Sequence, residues 1–200
     1  MTKLYYRTQA LESIARKALC GYDEKLFYGK PTATPIEEMI EAHGLLLEYQ
    51  YIRNDGRILG ETVFDDGLHP IYDMEHHEYT LIPVRAGTIF IDARLCEEDA
   101  NTGRFRFTCA HELSHWILHK RLYLGTGVSA ALAPAVAETD MEAQANMLGS
   151  MLLMPMSQVK RCFYQLRPGH SDAALIEDMA AVFQVSRQAM RIRLVNHNLL

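Results

Sequence analysis

Sequence pairings that would announce a cysteine zinc site or a dithiol redox centre are missing: Cys20, Cys96, Cys109 and Cys162 are scattered, with no C-x-x-C among them. Also missing is any apolar run near the ~20 residues that span a bilayer. The opening residues Met1 to Arg7 turn polar at once, without the apolar stretch of a secretory signal. These absences lead to the expectation of a cytoplasmic protein with reduced thiols and no membrane contact. Positive charge is in short supply as well. The formal net charge is -5 with His neutral, which disfavours broad electrostatic binding to nucleic acid or to an anionic membrane. With no internal repeat and no low-complexity tract, residues 1–200 are expected to form a single domain. What is present is a composition 48% hydrophobic and 22% charged, ordinary for a globular chain with a core of its own. Its one oddity is nine histidines.

Apolar spacing predicts a helix from Leu4 to Cys20, stopped by Gly21, and a second from Ile36 to Ala42, entered through Pro35 and ended by His43-Gly44. Leu45 to Ile52, Arg57 to Phe64, Tyr79 to Val84 and Thr88 to Asp92 read as strands, with turn signals at Asn54-Asp55-Gly56 and Asp65-Asp66-Gly67. After Asn101-Thr102-Gly103 the period becomes helical: Phe105 to Leu122, about Asp140 to Leu153, and two further helices near the C-terminus. The order helix, sheet, helices predicts an α+β class with a small, mostly antiparallel sheet.

His111-Glu112-Leu113-Ser114-His115 is an H-E-x-x-H motif on one of these helices. Residues four apart on a helix are offset by about 40° and rise about 6 Å, so both imidazoles can converge on one metal ion. Glu112, about 100° around, can reach a metal-bound water without being a ligand. Cys109, Ala110, Leu113, Trp116 and Ile117 fill another arc and belong to the core, which leaves a strip of Thr108, His111, Glu112, His115 and His119. A merely solvated face has no reason to choose His over Lys, Arg or Glu. His119 lies about 12 Å along the axis from His111, too far to share its ion, and reads as a supporting histidine.

A hydrolytic zinc site takes three protein ligands and keeps one position for water, so a third ligand is expected on another element. Downstream, Met141, Ala145, Leu148 and Leu152 make an apolar stripe, while Glu138, Glu142 and Asn146 share the opposite side at spacing four. Two readings of Glu142 stay open at this point. It is either the third ligand, with Glu138 in reserve, or the far end of a Thr139-x-x-Glu142 capping box. Asn146, one turn on, is either a plain polar residue or the acceptor that fixes the tautomer of a ligand imidazole.

Three separated blocks resemble the ImmA/IrrE family of metallo-endopeptidases, over about residues 84–195. They are Gly87 to Asp92, Arg104 to His119, and Glu142-Ala143-Gln144-Ala145-Asn146 followed by Leu152-Leu153-Met154-Pro155. The resemblance implies a zincin-like fold, with the small sheet packed on the H-E-x-x-H helix and a catalytic core at 84–155. It implies His111, His115 and Glu142 as metal ligands, Glu112 as the catalytic carboxylate, and Zn2+ or another divalent ion as cofactor. It also implies a cytoplasmic bacterial protein, often borne on a mobile element or prophage, that cleaves a helix-turn-helix repressor and so regulates transcription, including stress responses. Ser114 and Cys109 depart from the family's usual Gly and aliphatic residue, and neither is a proposed ligand.

Residues 173–196 read as helix, a turn at Gln184-Val185, and a helix capped by Ser186 that carries Arg187, Arg191 and Arg193. Arg187 and Gln188 are suitable base-contacting types. The acidic chain favours packing or substrate docking instead, with the arginines as a candidate docking face. The competing readings are a DNA-binding protein using this helix pair and a metal-stabilised regulatory or toxin-type binding module. The second would have no use for Glu112 and would fill the fourth metal position with protein. Tyr72, Tyr79, Tyr123 and His119 carry groups suited to an oxyanion partner.

Overall fold

Hydrophobic spacing decides the first layer of the structure. Helix α1 (Thr8–Tyr22) buries Leu11, Ala15 and Leu19 at successive turns. The computed structural model describes residues 6–97, 101–123 and 138–200, Glu138 through its backbone alone, so the expected helix start at Leu4 lies outside the described residues. A one-turn helix α2 (Lys25–Tyr28), not expected from the sequence, follows where Asp23 Oδ1 accepts from the Lys25 N–H at 2.9 Å. Helix α3 (Ile36–Ala42) occupies the expected span behind Pro35 and buries Ile36, Met39 and Ile40.

Five strands follow: β1 (Leu46–Gln50), β2 (Gly60–Thr62), β3 (Gly67–Asp73), β4 (Glu78–Val84) and β5 (Thr88–Asp92). They divide into a three-stranded sheet of order β1-β5-β2 and a β3-β4 hairpin. β5 is central, and all of its residues are buried. β2 runs antiparallel to it with Gly60 opposite Ile91, and β1 runs parallel with Leu46 opposite Thr88. The parallel pair is the departure from expectation. It arises because β2 and the whole hairpin are inserted between β1 and β5. β3 went unread because Pro70 lacks the N–H that a sheet interior needs, a defect of little consequence in a two-stranded hairpin with open edges.

Helices α4 (Thr102–Tyr123), α5 (Glu138–Leu153), α6 (Met156–Leu166), α7 (Asp172–Phe183) and α8 (Arg187–Asn196) complete the α+β architecture. Three helices rather than two follow α5, because Pro155 both ends it and opens α6. The core lies where α4 packs on β5 from one side and on α5 from another, among Ile89, Ile91, Leu113, Leu148 and Leu152, each 0% exposed. Helix α4 is covered on more than its apolar side. β2 and α5 close over the strip that reads as polar, so Glu112, His115 and His119 are buried too. No helix among the described residues is long and apolar enough to cross a membrane.

Candidate functional site

Helix α4 presents His111 and His115 one turn apart, and α5 brings Glu142 up against them. The two Nε2 atoms are 3.0 Å apart. Glu142 closes a triangle, its Oε2 3.2 Å from Nε2 of His111 and its Oε1 3.2 Å from Nε2 of His115. The candidate ligand atoms all lie within 4.8 Å of one another. Two imidazole nitrogens and a carboxylate held this closely need a cation among them, a proton or a metal ion. Hydrogen bonds from His111 and then His115 hold the Glu142 carboxyl well below the usual carboxylate range. Burial works against the His111 imidazolium, but the hydrogen bond to Glu142 and the Glu112 and Glu142 charges outweigh it and raise the His111 pKa.

Each imidazole is braced from behind. Nδ1 of His111 lies 3.1 Å from Oδ1 of Asn146, and Nδ1 of His115 lies 3.2 Å from Nδ1 of His119. With the Asn146 oxygen accepting, a proton is held on Nδ1 of His111, so that once a metal ion replaces the Nε2 proton shared with Glu142 the ring is in the tautomer a metal ligand requires. Two imidazoles and one carboxylate on two helices form a donor set suited to zinc or a similar divalent ion. His119 stands behind the set rather than in it. Burial, and then the neighbouring His115, lower its pKa to about 4. The capping-box reading of Glu142 gives way, since α5 already starts at Glu138 and Thr139 lies inside it. The reserve ligand Glu138 has its side chain outside the described residues.

Glu112 is buried beside this triangle and outside it. Its Oε2 accepts from Thr62 Oγ1 at 2.7 Å, and the same hydroxyl lies 3.0 Å from the Glu112 carbonyl oxygen. β2 comes this close only because residue 60 is glycine: a Cβ there would stand 2.6 Å from Glu112 Oε1. Burial raises the Glu112 pKa against the opposing pull of His115, His111 and the Thr62 hydrogen bond. A carboxyl pushed towards neutrality can take up and return a proton. Neither Gly60 nor Thr62 was singled out in the sequence, although a glycine inside a strand marks a close approach.

The triangle and Glu112 open into a cleft of about 620 Å³ whose rim includes Arg53, Arg57 and Arg104. Tyr72, Tyr79 and Tyr123 do not line it. The first two pack on each other in the hairpin with ring centroids 5.3 Å apart, and Tyr123 stacks on Phe64 at 4.3 Å. The helix-turn-helix outline holds: Gln184 turns at φ 52 and Ser186 Oγ accepts from the Ala189 N–H at 3.1 Å. Of the arginine face, Arg187 and Arg191 are exposed and Arg193 is not. Arg193 is buried, with Nε donating to the Met154 carbonyl at 3.1 Å and Nη2 3.6 Å from Glu12, while Arg187 lies 3.4 Å from Glu177. The N-cap of α8 lies close to the start of α4, while Arg187 and Gln188 beyond it are exposed. An added Cβ at Gly103 would sit 2.9 Å from the Ser186 nitrogen.

Comparison with curated proteins gives no match. A family model, Peptidase_M78, described as an IrrE N-terminal-like domain, matches residues 71–195, more than half of the chain. The match takes in α4 and α5 and stops short of Gly60 and Thr62. The chain therefore belongs to the M78 peptidases, the ImmA/IrrE metallopeptidase family that its three sequence blocks resemble.

Proposed function

We propose that this chain is a zinc endopeptidase of the cytoplasm, with His111, His115 and Glu142 holding the ion and Glu112 as the catalytic carboxylate. The observation that carries the reading is the division of labour at the α4–α5 contact. Three donors converge, while a fourth group, the Glu112 carboxyl, lies buried beside them and is tied to β2 instead. A purely structural metal site would have no use for that fourth group. When bound, the ion supplies Lewis acidity, polarising the scissile carbonyl and acidifying the attacking water. Glu112 takes the water's proton and delivers it to the leaving amine. Thr62 occupies Oε2 of Glu112, which leaves Oε1 as the proton-carrying atom. Asn146 and His119 keep the imidazoles aimed, and the rim arginines offer donors to the carbonyls of a bound polypeptide.

The substrate in this reading is one folded partner, a helix-turn-helix repressor, whose cleavage changes expression of a mobile element, a prophage or a stress response. Its support is the family's role, together with the need of a cytosolic protease for selectivity, which docking energy remote from the scissile bond can supply. The test is to incubate the zinc-loaded chain, and its Glu112→Gln variant, with the repressor from its own locus and with casein, and to map cuts by mass spectrometry. One cut in the repressor, spared casein and an inert variant are expected. Many cuts in casein beside an intact repressor would overturn the selectivity, and full activity in the variant would overturn the mechanism.

A further inference from the structure

A second hollow, of about 480 Å³, opens beside the metal cleft. Its walls come from segments far apart in the chain: Phe107 on α4, Ser150 on α5 and Met154 just after it, and Val185, Gln188 and Ile192 from the turn and second helix of the C-terminal pair. The two spaces adjoin, with Arg104, Phe107 and Asn146 lining both. Asn146 is the residue that braces His111. Ile192, 52% exposed, is an aliphatic side chain that the fold leaves unburied at this place.

We infer that this hollow is a specificity pocket of the peptidase, receiving one large apolar side chain of the polypeptide in the cleft at a fixed distance in sequence from the scissile bond. The inference rests on the peptidase reading and deepens it. A chain held against His111 and Glu142 that runs along Phe107 and Asn146 passes the mouth of the hollow. Phe107, Val185 and Ile192, with the buried Met154 behind them, then offer an aliphatic or aromatic side chain a surface to leave water for, at roughly 25 cal/mol per Å² of apolar area covered. The walls are set in advance. Ser186 caps α8, its nitrogen lies against Gly103, and Arg193 ties α8 to the Met154 carbonyl just after α5 and to Glu12 on α1. A preformed pocket of this kind selects by shape at little ordering cost. The helix-turn-helix-like pair thereby acquires a function in the catalytic unit. Gln188, suited by type to read a base, lines a pocket for a side chain.

The test is to digest a library of bacterial peptides with the zinc-loaded full chain and with three exposed-site variants, reading every cut by mass spectrometry. Ile192→Asp places a carboxylate in the wall, Gln188→Trp fills the space, and Val195→Asp alters a neighbouring exposed site, 48% exposed, that does not line the hollow. The wild type is expected to enrich Leu, Ile, Met or Phe about tenfold or more at one position relative to the cut. Ile192→Asp and Gln188→Trp abolish that enrichment, and Val195→Asp keeps it. No apolar enrichment, an acidic preference directed by Arg104, or an unchanged profile in both pocket variants would overturn the inference. A library left uncut by the wild type counts against the peptidase reading and not against the pocket. The pocket is then decided by methyl-13C methionine spectra of the full chain titrated with N-acetyl-leucinamide, with the Met154 signal assigned from Met154→Leu. A saturable Met154 shift lost in Gln188→Trp upholds it, and an unmoved Met154 signal overturns it.

Discussion

Thr62 has one hydroxyl proton and two oxygens of Glu112 within reach, and the shorter contact, 2.7 Å to Oε2, goes to the carboxylate. Replacing the hydroxyl by a methyl of similar shape leaves a buried carboxylate oxygen without its donor. Thr62→Val is therefore expected to lower kcat/KM about 10–100-fold with metal content unchanged, and Thr62→Ser to recover most of it; steady-state kinetics with metal analysis checks both. Glu112 was legible in the sequence because it lies inside a five-residue motif with helical spacing. Thr62 was not, because it stands 50 residues away and nothing in Gly60-Glu61-Thr62 says which helix the strand will face. Glu142 was half legible. Its spacing put it on a polar stripe, but a capping box explained the same residues until the start of α5 was known.

Between elements, the critical contact is α4 against α5 at Gly149. A Cβ there would meet the backbone nitrogen of His111 at 3.2 Å and the Ala110 carbonyl carbon at 3.3 Å, atoms that cannot rotate away. Gly149→Ala should push the helices apart by a few tenths of an ångström and carry Glu142 off the two histidines. Zinc affinity, read by chelator competition, is expected to fall about tenfold while circular dichroism keeps its helical signal. The β3–β4 turn carries a pH-sensitive contact of its own. Hydrogen bonds from the His76 side chain, then from the His76 and Glu75 backbone N–H groups, lower the Asp73 pKa from its ordinary 3.8 to about 2. A carboxyl whose folded pKa lies below its unfolded value adds stability that is complete above the unfolded pKa and is lost as pH falls through the folded one. Amide exchange at Glu75 and His76 should therefore accelerate between about pH 4 and pH 2 beyond its intrinsic rate, and Asp73→Asn should remove that pH dependence. Which elements could be read follows the same physics. β5 was plain because its short apolar run is bounded by Gly87 and the Asp92 turn, whereas β3 was hidden by Pro70 and the pairing of β1 with β5 by the long insertion between them.

For the whole molecule, α+β class and order of elements were readable from periodicity, but the covering of α4 was not. A one-dimensional pattern marks the Glu112 and His119 side of the helix as polar without saying that β2 and α5 will bury it. The same limit applied to the C-terminal pair, where spacing showed a capped helix and missed that Arg193 is an internal tie between α8, the turn after α5, and α1. An ion joining α4 to α5 should stabilise the fold as a unit. Free zinc at 100 times its Kd adds about 2.7 kcal/mol, and at roughly 2–4 °C per kcal/mol for a chain of this size that is a rise of about 5–11 °C in Tm, seen by scanning calorimetry and absent in His111→Ala. The most direct test of the central claim, that α4 and α5 together build a metal centre with Glu112 outside it, is zinc titration by calorimetry of the wild type, Glu142→Ala and Glu112→Gln. One ion per chain in the wild type and in Glu112→Gln, with affinity at least about a hundredfold weaker in Glu142→Ala, is the outcome this account predicts. Wild-type zinc affinity in Glu142→Ala, or loss of the ion in Glu112→Gln, would contradict it.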